Sequence, residues 1–311
     1  MKIIDYAGIC QAPKGAVIAL GLFDGVHLAH RELLTLAKET AESIGKPFGI
    51  FTFSKESGIK SNTKKLYSTD EKLELVSRLG ADFAIVAGFS DISKMTPDEF
   101  VEKVLIGKLD ASVAVSGYNF RFGKGALADA KMLKELMEHY GKAALIKDEI
   151  RESGEAVSAT RIRALIEKGQ IREANLLLGS PYFIRGTVVH GNGNGDGLGF
   201  PTLNVSLSED KVTPRLGVYR SVVSVGGSLY NAVTNVGTCP TFGAREVHVE
   251  AHLIGVRENL YGKCADIYLL DFLREEKAFL SKEELILQIS VDKNITIEKN
   301  GEEKWQELGL K

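Results

Sequence analysis

The chain has 311 residues, of which 44% are hydrophobic and 26% charged, and its formal net charge is −2. This length favours two domains, and the near-neutral charge argues against nucleic acid as the main partner. The cysteines Cys10, Cys239 and Cys264 fit neither a disulfide framework nor a zinc site, and no apolar run could span a membrane. We expect a cytoplasmic protein that binds small molecules and neither nucleic acid nor membrane; the sequence does not indicate its oligomeric state.

Short apolar strands alternate with helices in the first half of the chain. Strands are predicted at residues 16–20, 47–53, 82–89, 111–117 and 142–147. Helices are predicted near residues 30–44, from 69, from 96, and near 129–140, 159–168 and 171–178. Ser68 with Glu71, and Thr96 with Glu99, match reciprocal capping boxes. This rhythm predicts an α/β Rossmann-like domain, a parallel sheet covered on both faces that binds ligands at the carboxyl ends of its strands.

The pattern changes from Gly179, where strands follow one another without intervening helices. They are predicted at residues 182–190, 200–205, 217–225, 228–236, 246–254 and 264–272. Ser281 and Glu284 then indicate a capped helix, followed by a polar tail over residues 298–311. We predict an antiparallel β-barrel with a C-terminal helix, and domains at residues 1–180 and 181–311.

The segment GLFDGVHLAH, residues 21–30, has the composition of an anion-binding turn between a strand and a helix. Its glycines let backbone approach a ligand, and the helix N-terminus offers free N–H groups to a phosphate. His27 and His30 are three residues apart, so both rings can face one phosphate. Two alternatives stay open: capping or surface histidines, or a metal pair that lacks a third ligand nearby.

Two later segments point to the same edge of the predicted sheet. SGYNFRFGKG, residues 116–125, follows the fourth strand and contributes Asn119, Arg121 and Lys124. VSATRIR, residues 157–163, opens a helix with backbone N–H groups and polar side chains. Each could instead be an ordinary polar loop or a capped surface helix.

The first half of the chain contains FDGVH with a second histidine, SGYNFRFG and VSATRIR, and the second half contains, in order, LGFPTLNV, NVGTCPTF, VEAHLI and NLYGK. In these motifs the chain resembles the bifunctional riboflavin kinase/FAD synthetase family of bacteria. The first three are similar to the nucleotidyltransferase motifs of that family, and the last four are similar to its riboflavin kinase motifs and follow in the same order. The resemblance covers nearly the whole chain.

For the first domain, the resemblance implies transfer of AMP from Mg-ATP to FMN, giving FAD and pyrophosphate. His27 and His30 would stabilise the triphosphate in the transition state. Over both domains, the residues implied in ATP or phosphate binding are Gly21, Phe23, Asp24, Gly25, Asn119, Arg121, Ser158, Thr160, Arg161, Arg163, Gly191 and Gly199, the last two in the second domain. Those implied in flavin binding are Asn119, Phe120 and, in the second domain, Glu250.

For the second domain, the resemblance implies phosphorylation of riboflavin to FMN by ATP. Thr202 and Asn204 are two apart on a strand, so both oxygens could reach one Mg²⁺ ion. Glu250 would be the general base on the ribityl hydroxyl. Spacing alone leaves open a metal site at His248, Glu250 and His252. GNGNG, residues 191–195, superficially matches a dinucleotide fingerprint, but no helix follows it, so a phosphate-covering loop is favoured.

Several residues depart from the family pattern. Ala29 and Ala159 replace small polar or glycine positions, and residues 54–57 read SKES. In the kinase half, Asp196, Cys239, Gly255 and Val256 replace charged or flavin-shaping residues. These departures raise the hypothesis that FAD synthesis is retained while the kinase is weak, altered or lost. Two further alternatives are a flavin- or nucleotide-sensing protein without activity, and an adenylyltransferase for another phosphorylated acceptor.

Overall fold

The computed structural model describes residues 1–8, 12–54, 63–189, 202–241, 244–256 and 258–302, with backbone alone at 239–241, 244–246 and 301–302. The chain divides into two compact units, Met1–Ala159 and Thr160–Lys311. The boundary predicted from the sequence lies later in the chain, between residues 180 and 181. The second compact unit therefore contains two helices that the sequence prediction placed in the first domain.

The first unit is built on a six-stranded parallel sheet. The unit as a whole has the strands β1 (Lys2–Asp5), β2 (Val17–Leu20), β3 (Phe48–Phe53), β4 (Phe83–Ala87), β5 (Val113–Gly117), β6 (Arg121–Phe122), β7 (Ala128–Asp129), β8 (Ala143–Lys147), β9 (Arg151–Glu152) and β10 (Glu155–Ala156). The order in the large sheet is β1-β4-β3-β2-β5-β8, and β6 with β7 and β9 with β10 form small antiparallel ribbons. The predicted α/β class is therefore confirmed.

The helices of this unit are α1 (Leu28–Ile44), α2 (Thr69–Arg78), α3 (Phe89–Ile92), α4 (Pro97–Glu99) and α5 (Ala130–His139). A π-helix continues α4 over Phe100–Lys108, and a 3₁₀ turn covers Lys124–Ala126. Both predicted capping boxes are present, at the starts of α2 and α4. Helix α1 begins two residues earlier than predicted.

Helices cover both faces of this sheet, as the strand composition predicts. On β2, Val17 and Ala19 belong to a core formed with Leu33 and Leu34 of α1. Ile18 and Leu20 of β2 face the other way, into a core that includes residues of the π-helix. All four residues of β2 are consequently buried, which is why the strand reads as a continuous apolar run.

Strand β1 was missed in the sequence prediction. It has four residues, two of them charged and three of them exposed, and it pairs with β4 at the edge of the sheet. An edge strand lacks the covering that produces an apolar run, so periodicity does not reveal it.

The second unit contains helices α6 (Ala159–Glu167), α7 (Ile171–Leu178) and α8 (Lys282–Glu302). Its strands are β11 (Tyr182–Thr187), β12 (Thr202–Ser206), β13 (Gly217–Val225), β14 (Ser228–Thr241), β15 (Ala244–Leu253) and β16 (Cys264–Arg274). All neighbouring strands are antiparallel, in the order β11-β16-β13-β14-β15-β12. One bridge, between Val189 and Asn204, joins the two edges, so the sheet curls toward the predicted barrel.

Helix α7 packs on this sheet, which explains its place in the second unit. Asn175 Nδ2 donates to the carbonyl of Leu269 in β16 at 2.9 Å, and its Oδ1 accepts from the Tyr182 N–H at 2.8 Å. Arg172 forms an ion pair with Asp271 at 2.8 Å.

Helix α8 is longer than predicted and includes residues 298–302 of the polar tail. Asn300 lies on buried polar groups of the sheet: Arg220 Nη1 donates to its Oδ1 at 2.6 Å, and its Nδ2 donates to Asn231 Oδ1 at 2.7 Å. These hydrogen bonds satisfy polar side chains that the sequence pattern assigns to solvent. At the start of the helix, Ser281 Oγ accepts from the Glu284 N–H as predicted, but Glu284 accepts from the Leu280 N–H instead of that of Ser281.

Candidate active sites

The turn at residues 21–27 lies at the carboxyl end of β2, beside the point where the strand order reverses. From β2 the chain continues to β3 and β4 on one side, and then returns to β5 on the other. Ligands of open parallel sheets bind in the crevice at such a switch point. The first turn of α1 therefore lies where the fold favours a ligand.

Three of the four residues 23–26 in this turn have positive φ angles, in the left-handed region of the backbone map. Phe23, Gly25 and Val26 have φ values of 52°, 88° and 44°. For Phe23 and Val26 such a conformation costs on the order of 1–3 kcal/mol, which their complete burial offsets. The turn is thus fixed in a strained shape by its own apolar side chains.

Two predicted phosphate residues have structural contacts in this turn. A Cβ on Gly21 would lie 3.1 Å from the Phe23 ring, so the glycine makes room for that ring. Asp24 Oδ1 accepts from the Leu66 N–H at 3.0 Å, which ties the turn to the segment before α2. The glycine is explained by packing inside the turn, without invoking close approach of a ligand.

His27 and His30 form a stacked pair at the start of α1. Their ring centroids are 3.7 Å apart and their planes differ by 15°, and Phe23 packs edge-on against His30 at 5.3 Å. His27 occupies the N-cap position, but within the described chain its side chain makes no capping hydrogen bond. The capping alternative for His27 is therefore wrong.

Both imidazoles are buried and keep a nitrogen without a partner. His27 is 5% exposed, and the Nδ1 atoms of His27 and His30 have no hydrogen-bond partner among the described residues. Burial lowers the pKa of His27 to about 4. The pKa of His30 is lowered well below its usual range, mostly by burial and further by the nearby His27 and Lys72. The pair is neutral at pH 7 in the free protein and offers N–H dipoles to a ligand.

Lys72 is a residue of this region that the sequence prediction missed. It is 7% exposed, and its Nζ donates to the Leu22 carbonyl at 3.1 Å, Thr52 Oγ1 at 2.9 Å and the Phe53 carbonyl at 3.2 Å. Burial lowers its pKa to about 8, against the opposing effect of Asp24. Lys72 thus joins the turn to the end of β3. Lys72 lies four residues before the buried Val76, so the helical period places both on the inner face of α2. This spacing is the signal in the sequence that could have indicated a buried lysine.

The segment after β5 places Asn119 at the carboxyl edge of the sheet. Asn119 Oδ1 lies over Gly117, 3.4 Å from where a Cβ would stand, and Leu33 of α1 lies 3.9 Å from the same point. Asn119 therefore lies beside α1. Phe120 is half-buried and stacks on Phe122 with centroids 5.6 Å apart.

Two other predicted ligand groups have protein partners. Arg121 pairs with Asp129 at 3.9 Å across the β6–β7 ribbon. At the start of α6, Arg163 Nη2 donates to Thr160 Oγ1 at 3.1 Å. Ser158 precedes that helix and Arg161 lies in its first turn. Their roles toward a nucleotide stay predictions.

In the second unit, the predicted kinase residues share one face of the sheet. Thr202 of β12 lies opposite His252 of β15, and Asn204 lies opposite Glu250. Asn204 Nδ2 donates to Thr202 Oγ1 at 3.4 Å. Their neighbours Leu203, Val205, Val249 and Ala251 are buried on the other face. The alternation that the sequence indicates is confirmed.

Asn235 of β14 is a further polar residue of this face, and it was not singled out from the sequence. It lies opposite Glu250 on the side away from Asn204. Its Nδ2 donates to Glu276 at 3.2 Å, while its Oδ1 is buried without a partner in the described structure. Asn235 is the first residue of the NVGTCPTF motif, two residues before Gly237, but no role was predicted for it from the sequence.

The alternative of a metal site at His248, Glu250 and His252 finds no support. Over the ranges that the structure describes, no group of three or more histidine, cysteine, aspartate or glutamate side chains is arranged to hold a metal ion. The same holds for the His27 and His30 pair.

Some sequence predictions concern residues outside the described ones. Gly191, Gly199 and Asp196 lie there, as do residues 55–57 and the side chain of Cys239. Gly255 is described: it has a φ of 80° in the turn after β15. A glycine is favoured by that backbone, so this departure has a local structural reason.

Comparison with known proteins gives matches for both units. A family model described as FAD synthetase matches residues 9–161, and one described as riboflavin kinase matches residues 178–299. A bifunctional riboflavin kinase/FMN adenylyltransferase of Bacillus subtilis is 33% identical over 91% of this chain and 92% of its own length. The corresponding Escherichia coli K12 protein is 32% identical over 94% of this chain and 96% of its own length.

A solved structure also matches nearly the whole chain. It is a Streptococcus pneumoniae chain described as a macrolide-efflux protein, with 28% identity, a TM-score of 0.87, and coverage of 95% of this chain and 99% of that one. In the part of this chain that is described, no helix is long and apolar enough to cross a membrane.

Proposed function

The chain belongs to the family of bifunctional riboflavin kinase/FMN adenylyltransferases, and on this premise we propose that it makes FAD from riboflavin in two ATP-dependent steps. The second unit phosphorylates riboflavin to FMN, and the first transfers AMP from ATP to FMN with release of pyrophosphate. Matches to both family models, and to whole relatives that carry both activities in their names, favour this function over FAD synthesis alone, a sensor or another acceptor.

The stacked histidine pair at the start of α1 supports adenylyl transfer in the first unit. In this reaction a phosphate oxygen of FMN attacks the α-phosphorus of ATP, and the bond to the pyrophosphate oxygen breaks. Negative charge grows on the leaving pyrophosphate, so catalysis needs positioning and donors more than a covalent nucleophile. Two buried imidazoles whose Nδ1 atoms have no partner among the described residues, at the N-terminus of a helix, are suited to that task.

The neutral state of the pair has a consequence for nucleotide binding. A triphosphate beside His27 and His30 favours their charged forms, which opposes the effect of burial on their pKa values. Each ring therefore has one N–H donor before the nucleotide binds and can acquire a second when charge arrives. Lys72 fixes the turn beneath, so the donors are held in place beforehand.

The other nucleotide contacts rest on the resemblance to the family. We assign ATP or phosphate binding to Gly21, Phe23, Asp24, Gly25, Asn119, Arg121, Ser158, Thr160, Arg161, Arg163, Gly191 and Gly199, and flavin binding to Asn119, Phe120 and Glu250. Arg121 must leave its long, exposed ion pair with Asp129, which costs little because such pairs contribute about 0–1 kcal/mol.

The shared face of β12 and β15 supports phosphoryl transfer in the second unit. Glu250 would accept the proton of the ribityl hydroxyl while the hydroxyl oxygen attacks the γ-phosphorus of ATP and ADP leaves. Thr202 and Asn204 are neutral oxygen donors on the same face, a donor set that fits Mg²⁺. The Nδ2 of Asn204 is directed at Thr202, which leaves its Oδ1 for a cation. When bound, Mg²⁺ would neutralise charge on the ATP phosphates.

Whole-length similarity to the bifunctional relatives is the observation that carries the proposal. It is tested by incubating the purified, flavin-free chain with Mg-ATP and either riboflavin or FMN, and resolving the flavins by chromatography. We further propose that the protein acts in the cytoplasm on small molecules, with ATP, riboflavin, FMN and FAD as substrates or products.

A further inference from the structure

We propose that Asn235 is a substrate-binding residue of the phosphoryl-acceptor site, and that Glu276 positions it. Asn235 Oδ1 would accept a hydrogen bond from a hydroxyl of the polyol chain of the flavin, next to Glu250. This inference rests on the proposed kinase function of the second unit.

The strand register places Asn235 in the row that contains the proposed base. Asn204 of β12, Glu250 of β15 and Asn235 of β14 follow one another across three antiparallel strands. Directly opposite residues point to the same face, with Cβ atoms about 4.5–5.5 Å apart. A substrate hydroxyl at Glu250 is therefore within reach of both asparagines.

Glu276 determines which end of the Asn235 amide faces the site. Asn235 Nδ2 donates to Glu276 Oε1 at 3.2 Å. Glu276 comes this close because Gly237, two residues along β14, has no side chain: a Cβ there would collide with Oε1. A carboxylate accepts hydrogen bonds and does not donate them, so it holds the NH₂ group toward itself and leaves Oδ1 for the site.

The Oδ1 atom is buried and lacks a partner in the described structure. Leaving a buried acceptor unpaired costs free energy, and few such groups occur in native proteins. A ligand that donates a hydrogen bond at this position removes the penalty. The unpaired acceptor is therefore a second observation, independent of the register, that points to a ligand.

The charge around Asn235 selects the kind of ligand group. Its amide bonds to the Glu276 carboxylate, the acidic residue Glu250 is its partner in the strand register, and an amide oxygen itself repels anions. A phosphate group is disfavoured there, whereas a neutral hydroxyl can donate to the oxygen. Of the two kinase substrates, this chemistry matches the polyol chain of the flavin and not the triphosphate of ATP.

The test compares riboflavin with lumiflavin, a flavin that carries a methyl group in place of the ribityl chain. Initial rates of FMN formation by the full chain give the KM for riboflavin and the inhibition constant of lumiflavin, and both report only the acceptor site. The variants are Asn235→Leu, Glu276→Leu and Glu276→Gln. Asn231→Leu is the matched control, since Asn231 lies on the same face of the same strand and bonds to Asn300.

We expect Asn235→Leu to raise the KM for riboflavin by about three- to tenfold and to leave the inhibition constant of lumiflavin within twofold. Glu276→Leu should raise the KM similarly, because the amide can then rotate. Glu276→Gln should retain most of the wild-type KM, because its amide oxygen still accepts from Asn235. Asn231→Leu should lower the melting temperature with the KM unchanged.

Equal weakening of riboflavin and lumiflavin by Asn235→Leu would overturn the inference, as would an unchanged KM in both leucine variants. In those cases a wild-type chain that forms FMN keeps the proposed function intact. A wild-type chain that forms no FMN would instead overturn the kinase function and this inference with it. If Asn235→Leu fails to fold, the comparison of leucine with glutamine at the exposed Glu276 decides the question.

Discussion

The rings of His27 and His30 are stacked with their centroids 3.7 Å apart at the first turn of α1. Two imidazoles at this distance cannot both be charged without strong repulsion, and burial makes the charged forms costlier still. In the proposed function, the stack keeps two neutral donors at a helix N-terminus in the free protein, where they can meet a phosphate group of the nucleotide. Its effects on catalysis and on stability can be measured separately.

Replacement of His30 tests the catalytic role of the stack. We expect His30→Ala to lower FAD formation from FMN at least tenfold, because one donor to the leaving pyrophosphate is lost. FMN formation in the second unit should be unchanged, and so should both activities in His139→Ala, a control at the end of α5. An unaffected rate of FAD formation would leave the histidine pair a packing role alone.

The depressed histidine pKa values predict a loss of stability in acid. His27 has a pKa of about 4 when folded and 6.5 when unfolded, so the unfolded chain binds more protons between these values. The free energy of unfolding is therefore highest above pH 6.5 and decreases as the pH falls toward 4, by about 2–3 kcal/mol at pH 4.5 from His27.

Urea unfolding at pH 7.5 and pH 4.5 measures this loss. The double variant His27→Gln/His30→Gln should lose less stability between the two pH values than the wild type. The same pH dependence in both proteins would show that the histidines are not the groups responsible.

Removal of the buried ammonium should disturb the turn. Lys72→Met removes three hydrogen bonds, to the Leu22 carbonyl, Thr52 Oγ1 and the Phe53 carbonyl, at a cost of about 2–3 kcal/mol, although Thr52 Oγ1 still donates to the Leu22 carbonyl. We expect a lower melting temperature and slower FAD formation, with FMN formation preserved. Lys38→Met, at an exposed position of α1, serves as the control. Full FAD synthesis in Lys72→Met would mean that the turn holds its shape without this contact.

Replacement of the proposed base tests the second unit. Glu250→Gln keeps the size of the side chain but cannot take the ribityl proton, so FMN formation should fall at least a hundredfold while FAD formation from added FMN continues. Glu283→Gln, at an exposed position of α8, should leave both rates unchanged. A Glu250→Gln variant with near wild-type FMN formation would exclude general-base catalysis by this residue.

Local rules were sufficient for much of the fold and for part of the sites. Ser68 with Glu71 and Thr96 with Glu99 form the capping boxes that their spacing predicts. The period of two in β12 and β15 correctly puts Thr202, Asn204 and Glu250 on one face. These features depend on residues close in sequence or on strand alternation alone.

Features that depend on tertiary contacts could not be predicted in this way. Lys72 is buried because three acceptors from other segments surround its Nζ, and a lysine in an amphipathic helix otherwise favours solvent. Asn235 belongs to the NVGTCPTF motif, but its relation to the site is apparent only from its register with Glu250 and the approach of Glu276. Residues 298–302 extend α8 because buried groups of β13 and β14 bind Asn300, which composition does not indicate.

The most direct test of the central claim is product analysis of the flavin-free chain with Mg-ATP. The account predicts that riboflavin is converted to FMN and then FAD, and that added FMN is converted to FAD. Conversion of FMN with riboflavin left unchanged would contradict the claim of two activities, and would turn attention to Asp196 and Cys239 in the kinase unit.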